Sequence, residues 1–137
     1  MLLLLEHYFD QLSEIQYVHW KSNSHLDAAL NGETDLDLLV SQRDAQQFRK
    51  ITIEHGFKQI ISSPEKQFPG LEDYLGFDPA SGRLTHLHVH YRLVIGKQYA
   101  KNYRLPLEES LLNSHQVVSG VKISSVEWEL AFLIIRA

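Results

Sequence analysis

Residues 31–40 read NGETDLDLLV and supply the strongest pattern in the chain. Asp35 and Asp37 alternate with leucine before the run becomes fully apolar as far as Val40, which is typical of a strand exposed at its start and buried at its end. Alternate residues of a strand project from one face with Cα atoms about 6.5–7 Å apart. Both carboxylates can therefore converge on one divalent cation, and we expect a metal site at the head of a buried strand.

The segments before this strand predict a helix, a strand and a second helix. Apolar residues recur at steps of three and four between Leu4 and Ile15, which indicates an amphipathic helix. Strand-forming residues fill 16–20. Ser22 or a neighbouring polar residue then caps a helix that stops at Gly32.

The remaining segments mix crossovers with a local hairpin. In chain order we predict a helix at about 43–55, a strand at 57–61, a loop at 62–70, a hairpin of strands at 71–77 and 83–95, a short helix from 106 to 112, a strand at 117–123 and a last helix after Ser125. This order favours an α+β fold, a mixed β-sheet flanked by helices, in a single domain over residues 1–137.

Composition excludes several classes of protein. The 137 residues suffice for one ordinary globular domain, and the lack of cysteine excludes disulfide frameworks, thiolate metal sites and a cysteine nucleophile. A formal charge of −4 argues against non-specific nucleic-acid binding. The apolar start at Met1 is cut off by Glu6, far short of a membrane span, so we expect a cytoplasmic chain without a membrane partner.

A row of histidines supplies a second set of candidate ligands. His86, His88 and His90 alternate with apolar residues, so all three imidazoles face one side of a predicted strand. Imidazole binds metals and titrates near neutral pH, which makes His88, and next His86, candidates for metal ligand or general base. Histidine ligands favour Mn²⁺, Zn²⁺ or Ni²⁺ over Mg²⁺.

The run Trp20-Lys21-Ser22, followed after twelve residues by Asp35-Leu36-Asp37, resembles the signature of the nucleotidyltransferase superfamily of the DNA polymerase β type. The segments DLDLLV, HGF and HLHVHYRL look like those of bacterial nucleotidyltransferase-like proteins. The resemblance spans about residues 17–95.

This resemblance implies a nucleotidyltransferase-like fold that transfers a nucleoside monophosphate from an NTP to an unknown acceptor, with Mg²⁺ or Mn²⁺. It implies that Asp35 and Asp37 hold the metal, and that Ser22 with the amides after it, Asn23 first, binds the NTP phosphates. Lys21 stands where the family has glycine, and its ammonium is suited to phosphate charge.

The family has a third carboxylate on a later strand. Residues 83–95 contain no acid, so we expect His88 to take that place, with His86 and His90 as further ligands.

Other interpretations of the same residues stay open. The aspartates also suit an exposed turn, and the histidine row also suits the polar face of an edge strand. The chain is then a catalytically inactive binding module on the same fold, or a transition-metal protein that uses the histidines without nucleotide.

Two further segments have alternative roles. The basic and aromatic run at 97–104 suits either a nucleobase or acceptor phosphate, or a solvated loop. The apolar helix near the end carries no stop signal, so we expect either core packing or docking of a further domain, a longer chain or a second copy.

Overall fold

The computed structural model describes residues 1–97 and 100–136. The described helices are α1 (Leu3–Gln11), α2 (Leu26–Leu30), α3 (Ala45–Glu54), α4 (Glu108–Asn113) and α5 (Val126–Arg136). The described strands are β1 (Tyr17–His19), β2 (Leu36–Val40), β3 (Lys58–Ile60), β4 (Leu71–Asp78), β5 (Arg83–His90), β6 (Leu93–Lys97), β7 (Ala100–Leu105), β8 (His115–Val118) and β9 (Val121–Ser124). Each of these helices falls short of the length and apolar character that crossing a membrane requires.

Among the described residues, seven strands form one mixed sheet in the order β3-β4-β5-β2-β1-β9-β8, and β6 pairs with β7 separately. The β2–β5 and β1–β9 pairs are parallel, while the other pairs in the large sheet are antiparallel. The predicted α+β class with a mixed sheet is confirmed.

One face of the sheet carries the main core. Leu36 and Leu38 of β2 pack there with Tyr8 of α1, Leu30 of α2 and Phe48 of α3. The helical side chains of this core come from helices whose apolar residues recur at three- and four-residue steps, as the sequence predicted. Three helices therefore cover this face, and the polar side chains of β2 point to the other.

The opposite face is covered over only part of its width. Trp20 and Leu39 pack there with Leu93 after β5, Leu112 of α4 and Phe132 of α5. This second core lies over β1 and the end of β2. The described part of the face over β4 and β5 retains exposed side chains, and the candidate site lies there.

Two predicted strands are each divided in two. The strand predicted at 83–95 is divided after His90 into β5 and β6, because Tyr91 packs in the main core and Leu93 in the second core, whereas residues two apart in a regular strand share one face. The strand predicted at 117–123 is a hairpin, because Ser119 and Gly120 adopt φ of 51° and 77°, the left-handed region that a tight turn needs.

Of the basic and aromatic run, Ala100–Leu105 forms β7 where a loop was one of the expectations. Tyr99 lies outside the described residues.

Candidate functional site

The sheet register places three polar side chains in one row. Asp37 of β2 is the partner of His88 on β5, and His88 is in turn the partner of Asp73 on β4. Residues that are partners in a ladder project from the same face of the sheet. The Asp-x-Asp segment and the histidine row therefore meet on adjacent strands, and Asp73 joins them from the next strand.

His86 joins two carboxylates. Its Nδ1 lies 2.9 Å from Asp35 Oδ1 and its Nε2 lies 2.8 Å from Asp73 Oδ1. The hydrogen bond to Asp73, opposed by partial burial and aided by Asp35, raises the pKa of His86 to about 9. His86 is therefore an imidazolium at neutral pH that donates from both ring nitrogens.

Asp73 is a functional candidate that the sequence reasoning missed. It accepts hydrogen bonds from His86 and, at 2.7 Å, from His88 Nδ1. Burial alone would raise the pKa of Asp73, but the two histidines hold it well below its usual range. The signal was available in the hairpin turn, since pairing Asp78 with Arg83 places Asp73 opposite His88.

His90 has the most unusual environment in the cluster. Its side chain is 2% exposed, its ring lies edge-on to those of Trp20 and His88, and neither of its nitrogens has a hydrogen-bond partner. Nε2 is 3.8 Å from Asp37 Oδ1, beyond hydrogen-bond length. Burial lowers the pKa of His90 to about 4, so the ring is neutral at physiological pH.

Asp37 is held by a cation from its own chain. Lys21 Nζ lies 2.9 Å from Asp37 Oδ1, and both side chains are largely buried. Burial would raise the pKa of Asp37, but His90 and the Lys21 ammonium outweigh it and the net shift is downward. Asp37 is thus an ionised carboxylate beside the neutral His90.

Two groups of side chains in the described chain have ligand atoms within 4.8 Å of one another: Asp37 with His88 and His90, and Asp73 with His86 and His88. In the second group, Asp73 already accepts hydrogen bonds from both histidines. The first group contains the unpartnered His90 and an anionic oxygen. The first group is therefore the better cation site.

The turn after β1 is held by hydrogen bonds to β9 and α5. Ser22 adopts a left-handed φ of 58°, and α2 beyond it has five residues. The Asn23 amide donates to Glu129 Oε1 of α5 at 2.8 Å, and its side-chain amide donates to Ser124 Oγ at 2.8 Å. Of the three predicted phosphate-binding residues, Lys21 is at the cluster, Ser22 begins the turn, and Asn23 links that turn to β9 and α5.

The site therefore combines residues predicted from the sequence, namely Lys21, Asp37 and the three histidines, with Asp73. Asp35 was predicted to share a cation with Asp37, but it binds His86 instead and belongs to neither group of candidate ligands. Comparison of the chain with known proteins finds no family model, no curated protein and no solved structure that matches it.

Proposed function

We propose that this protein is a metal-dependent nucleotidyltransferase in which Asp37, His88 and His90 hold a divalent cation beside the phosphates of an NTP. The observation that carries the proposal is His90, a buried neutral imidazole with two unpartnered nitrogens next to an ionised carboxylate. A buried polar group without a partner costs about 1–3 kcal/mol, which a bound cation would recover. The ligand set suits Mn²⁺, Zn²⁺ or Ni²⁺ as well as Mg²⁺.

Asp73 would support the cation site through its hydrogen bond to His88. Because Asp73 accepts the Nδ1–H of His88, the proton is fixed on that nitrogen and Nε2 is left with its lone pair. A carboxylate behind a ligating imidazole is a common arrangement in metal proteins, where it fixes the ring's tautomer and orientation. His88 thus suits the place that the family's third carboxylate implies, with Asp73 as its positioning residue.

Lys21 supports the phosphate half of the proposal. Its ammonium now neutralises Asp37, and a divalent cation at Asp37 would compete for the same oxygen. Lys21 would then be released beside the cation, where it can bind the phosphates of the NTP. The departure from the family's glycine at this position is consistent with such a role.

The fold would assist the proposed reaction by positioning the charged side chains around the cation and the NTP. The bound cation would supply positive charge for phosphate oxygens and for the leaving pyrophosphate. Asp35 holds His86 and so keeps the imidazolium next to Asp73. The residues of the chain bind, orient and neutralise charge, which is most of what phosphoryl transfer requires.

A second candidate function is transition-metal binding without nucleotide. The observation that favours it is the Asn23 amide, which already donates to Glu129 and so is not free to donate to a phosphate. A catalytically inactive binding module on the same fold is favoured by the same contact.

The test is a Mn²⁺ titration of chelator-stripped protein, followed by electron paramagnetic resonance, with calorimetric titration of each common NTP. We expect Mn²⁺ binding, and NTP binding that requires Mn²⁺ and is accompanied by pyrophosphate release when acceptors are supplied. Asp37→Asn should weaken Mn²⁺ binding by about 10-fold or more. Asp10→Asn on the exposed face of α1 is the matched control and should change nothing.

Two results would count against the proposal. Mn²⁺ affinity that is the same in Asp37→Asn and in the wild type would exclude this cation site. Tight Zn²⁺ or Ni²⁺ binding through His88 and His90, with no NTP binding under any metal, would select the second candidate function.

A further inference from the structure

A cavity of about 480 Å³ opens beside the cluster, between the end of β3, the loop after it and the start of β4. Asp73 and His88 are among its lining residues, so the cavity shares His88 with the proposed cation site. Its apolar lining includes two exposed isoleucines, Ile60 at 44% and Ile61 at 77% exposure. Phe68 and Leu71 complete the apolar wall.

The cavity and the phosphate side lie on opposite sides of the cluster. The strand order runs β3, β4, β5, β2, β1, and Ile60, Asp73, His88 and Asp37 are successive partners across the first four strands. Lys21 follows β1 and approaches Asp37 from the far side. A compound in the cavity would therefore face the cluster from the side opposite the proposed phosphates.

The polar lining indicates what chemical class fits. The loop contributes Ser62, Glu65, Lys66 and Gln67, so hydroxyl, carboxylate, ammonium and amide groups share the cavity with apolar side chains. Lys66 is the only lysine or arginine among the described lining residues, whereas carboxylates come from Glu65, Glu72 and Asp73, so the cavity has the wrong charge for a phosphate-bearing ligand. A ligand hydroxyl group can both donate and accept hydrogen bonds, so it can pair with the donors and with the acceptors of this lining. The apolar side chains suit the C–H face of a sugar ring.

We propose that this cavity binds the acceptor substrate, and that the acceptor is a neutral polyhydroxy compound such as a sugar. The acceptor role of the bound compound rests on the proposed nucleotidyl transfer. In that reaction the acceptor's hydroxyl oxygen forms a bond to the α-phosphorus of the NTP. The bond from that phosphorus to the bridging oxygen breaks, pyrophosphate leaves with the electron pair, and the hydroxyl proton is released to water.

The test uses the full chain and a panel of methyl glucoside, methyl galactoside, methyl mannoside and N-acetylglucosamine. Saturation-transfer NMR is recorded first in chelator without nucleotide. We expect transfer to at least one pyranoside, with affinity reduced about fivefold or more in Ile60→Ala and in Phe68→Ala. Phe77→Ala is the matched control, because Phe77 is a comparably exposed apolar residue on the same face of the sheet but outside the cavity, and it should bind like the wild type.

A second measurement locates the pyranoside relative to the cation. Mn²⁺ added to the complex should broaden the pyranoside's proton signals, and Asp37→Asn should remove that broadening. The absence of transfer to every member of the panel would overturn the proposal, as would binding that the two cavity variants leave unchanged.

The two proposals fail separately. Pyranoside binding is measured without metal or nucleotide, whereas the Mn²⁺ and NTP titrations are made without pyranoside. Pyranoside binding in the cavity, combined with no NTP binding, would overturn the acceptor role itself. NTP binding without pyranoside binding would overturn only the choice of acceptor class.

Discussion

His86 and His90 occupy positions on one face of one strand, yet their ring nitrogens meet opposite surroundings. His86 lies between two carboxylates and gains a proton, so its pKa rises to about 9. His90 lies under Trp20 with no partner and loses its proton, so its pKa falls to about 4. The difference depends on depth in the sheet, because Asp35 and Asp73 are near solvent and the second core covers His90.

The environment of His90 predicts a trade between stability and metal binding. His90→Leu removes two buried nitrogens that have no partner and keeps an apolar side chain of similar size. The free energy of unfolding in chelator should therefore rise by about 1 kcal/mol in a urea titration. The same variant should lose most of the extra stability that Mn²⁺ confers on the wild type.

His7→Leu on the exposed face of α1 serves as the control, and it should change neither the stability in chelator nor the response to Mn²⁺. A clear loss of stability in His90→Leu would mean that the ring has a structural partner and would weaken the case for a cation there.

At the scale of the elements, one close approach fixes how α2 is joined to β2. Gly32 follows α2 with φ of +76°, and a Cβ built there would lie 2.7 Å from the Leu84 carbonyl oxygen of β5. Gly82 in the β4–β5 turn has a similar φ of +72°, but a Cβ there meets no atom within 4 Å. A substitution at Gly82 therefore introduces backbone strain alone, whereas one at Gly32 introduces both backbone strain and a steric clash.

This pair predicts the sizes of two alanine substitutions. Gly82→Ala should destabilise the protein by about 1–2 kcal/mol, the cost of a left-handed conformation for a residue with a Cβ. Gly32→Ala should cost at least about 1 kcal/mol more, because the Leu84 backbone must also move. Chemical denaturation measures both, and equal costs would show that the approach to Leu84 is relieved without strain.

At the scale of the whole molecule, the second core connects α5 to the candidate site. Trp20 contacts both His90, with ring centroids 5.0 Å apart, and Phe132 of α5, at 5.1 Å. Glu129 of the same helix accepts the Asn23 amide. The last helix therefore supports both sides of the site, although none of its residues belongs to the cluster of candidate ligands.

This connection predicts an effect at a distance. Phe132→Ala should destabilise the protein by about 3–5 kcal/mol, and it should also weaken Mn²⁺ binding because Trp20 is no longer held against His90. Leu133→Ala on the solvent side of the same helix is the control, at 61% exposure. Mn²⁺ affinity that is the same in Phe132→Ala and in the wild type would show that the site does not depend on the second core.

Local patterns were sufficient to predict the helices and most strands. The steps of Leu4, Leu5, Tyr8 and Phe9 predicted α1, and the alternation in DLDLLV predicted β2, because both signals come from residues close together in the chain. Of the two divided strands, the hairpin at Ser119 and Gly120 had a local turn signal that the sequence reasoning missed, whereas the break after His90 has a tertiary cause. The break after His90 depends on the two cores that receive Tyr91 and Leu93, and both cores are built from distant segments.

The sequence by itself determined most of the elements, the Asp-x-Asp pattern and the shared face of the three histidines, because side-chain direction in a strand follows from its period of two. The tertiary structure decided which strands lie side by side, and so brought Asp73 to His88 and His88 to Asp37. It also decided which histidine is protonated and which is buried without a partner. Those properties depend on neighbouring charges and on exclusion of water, which exist only after segments far apart in the chain have packed together.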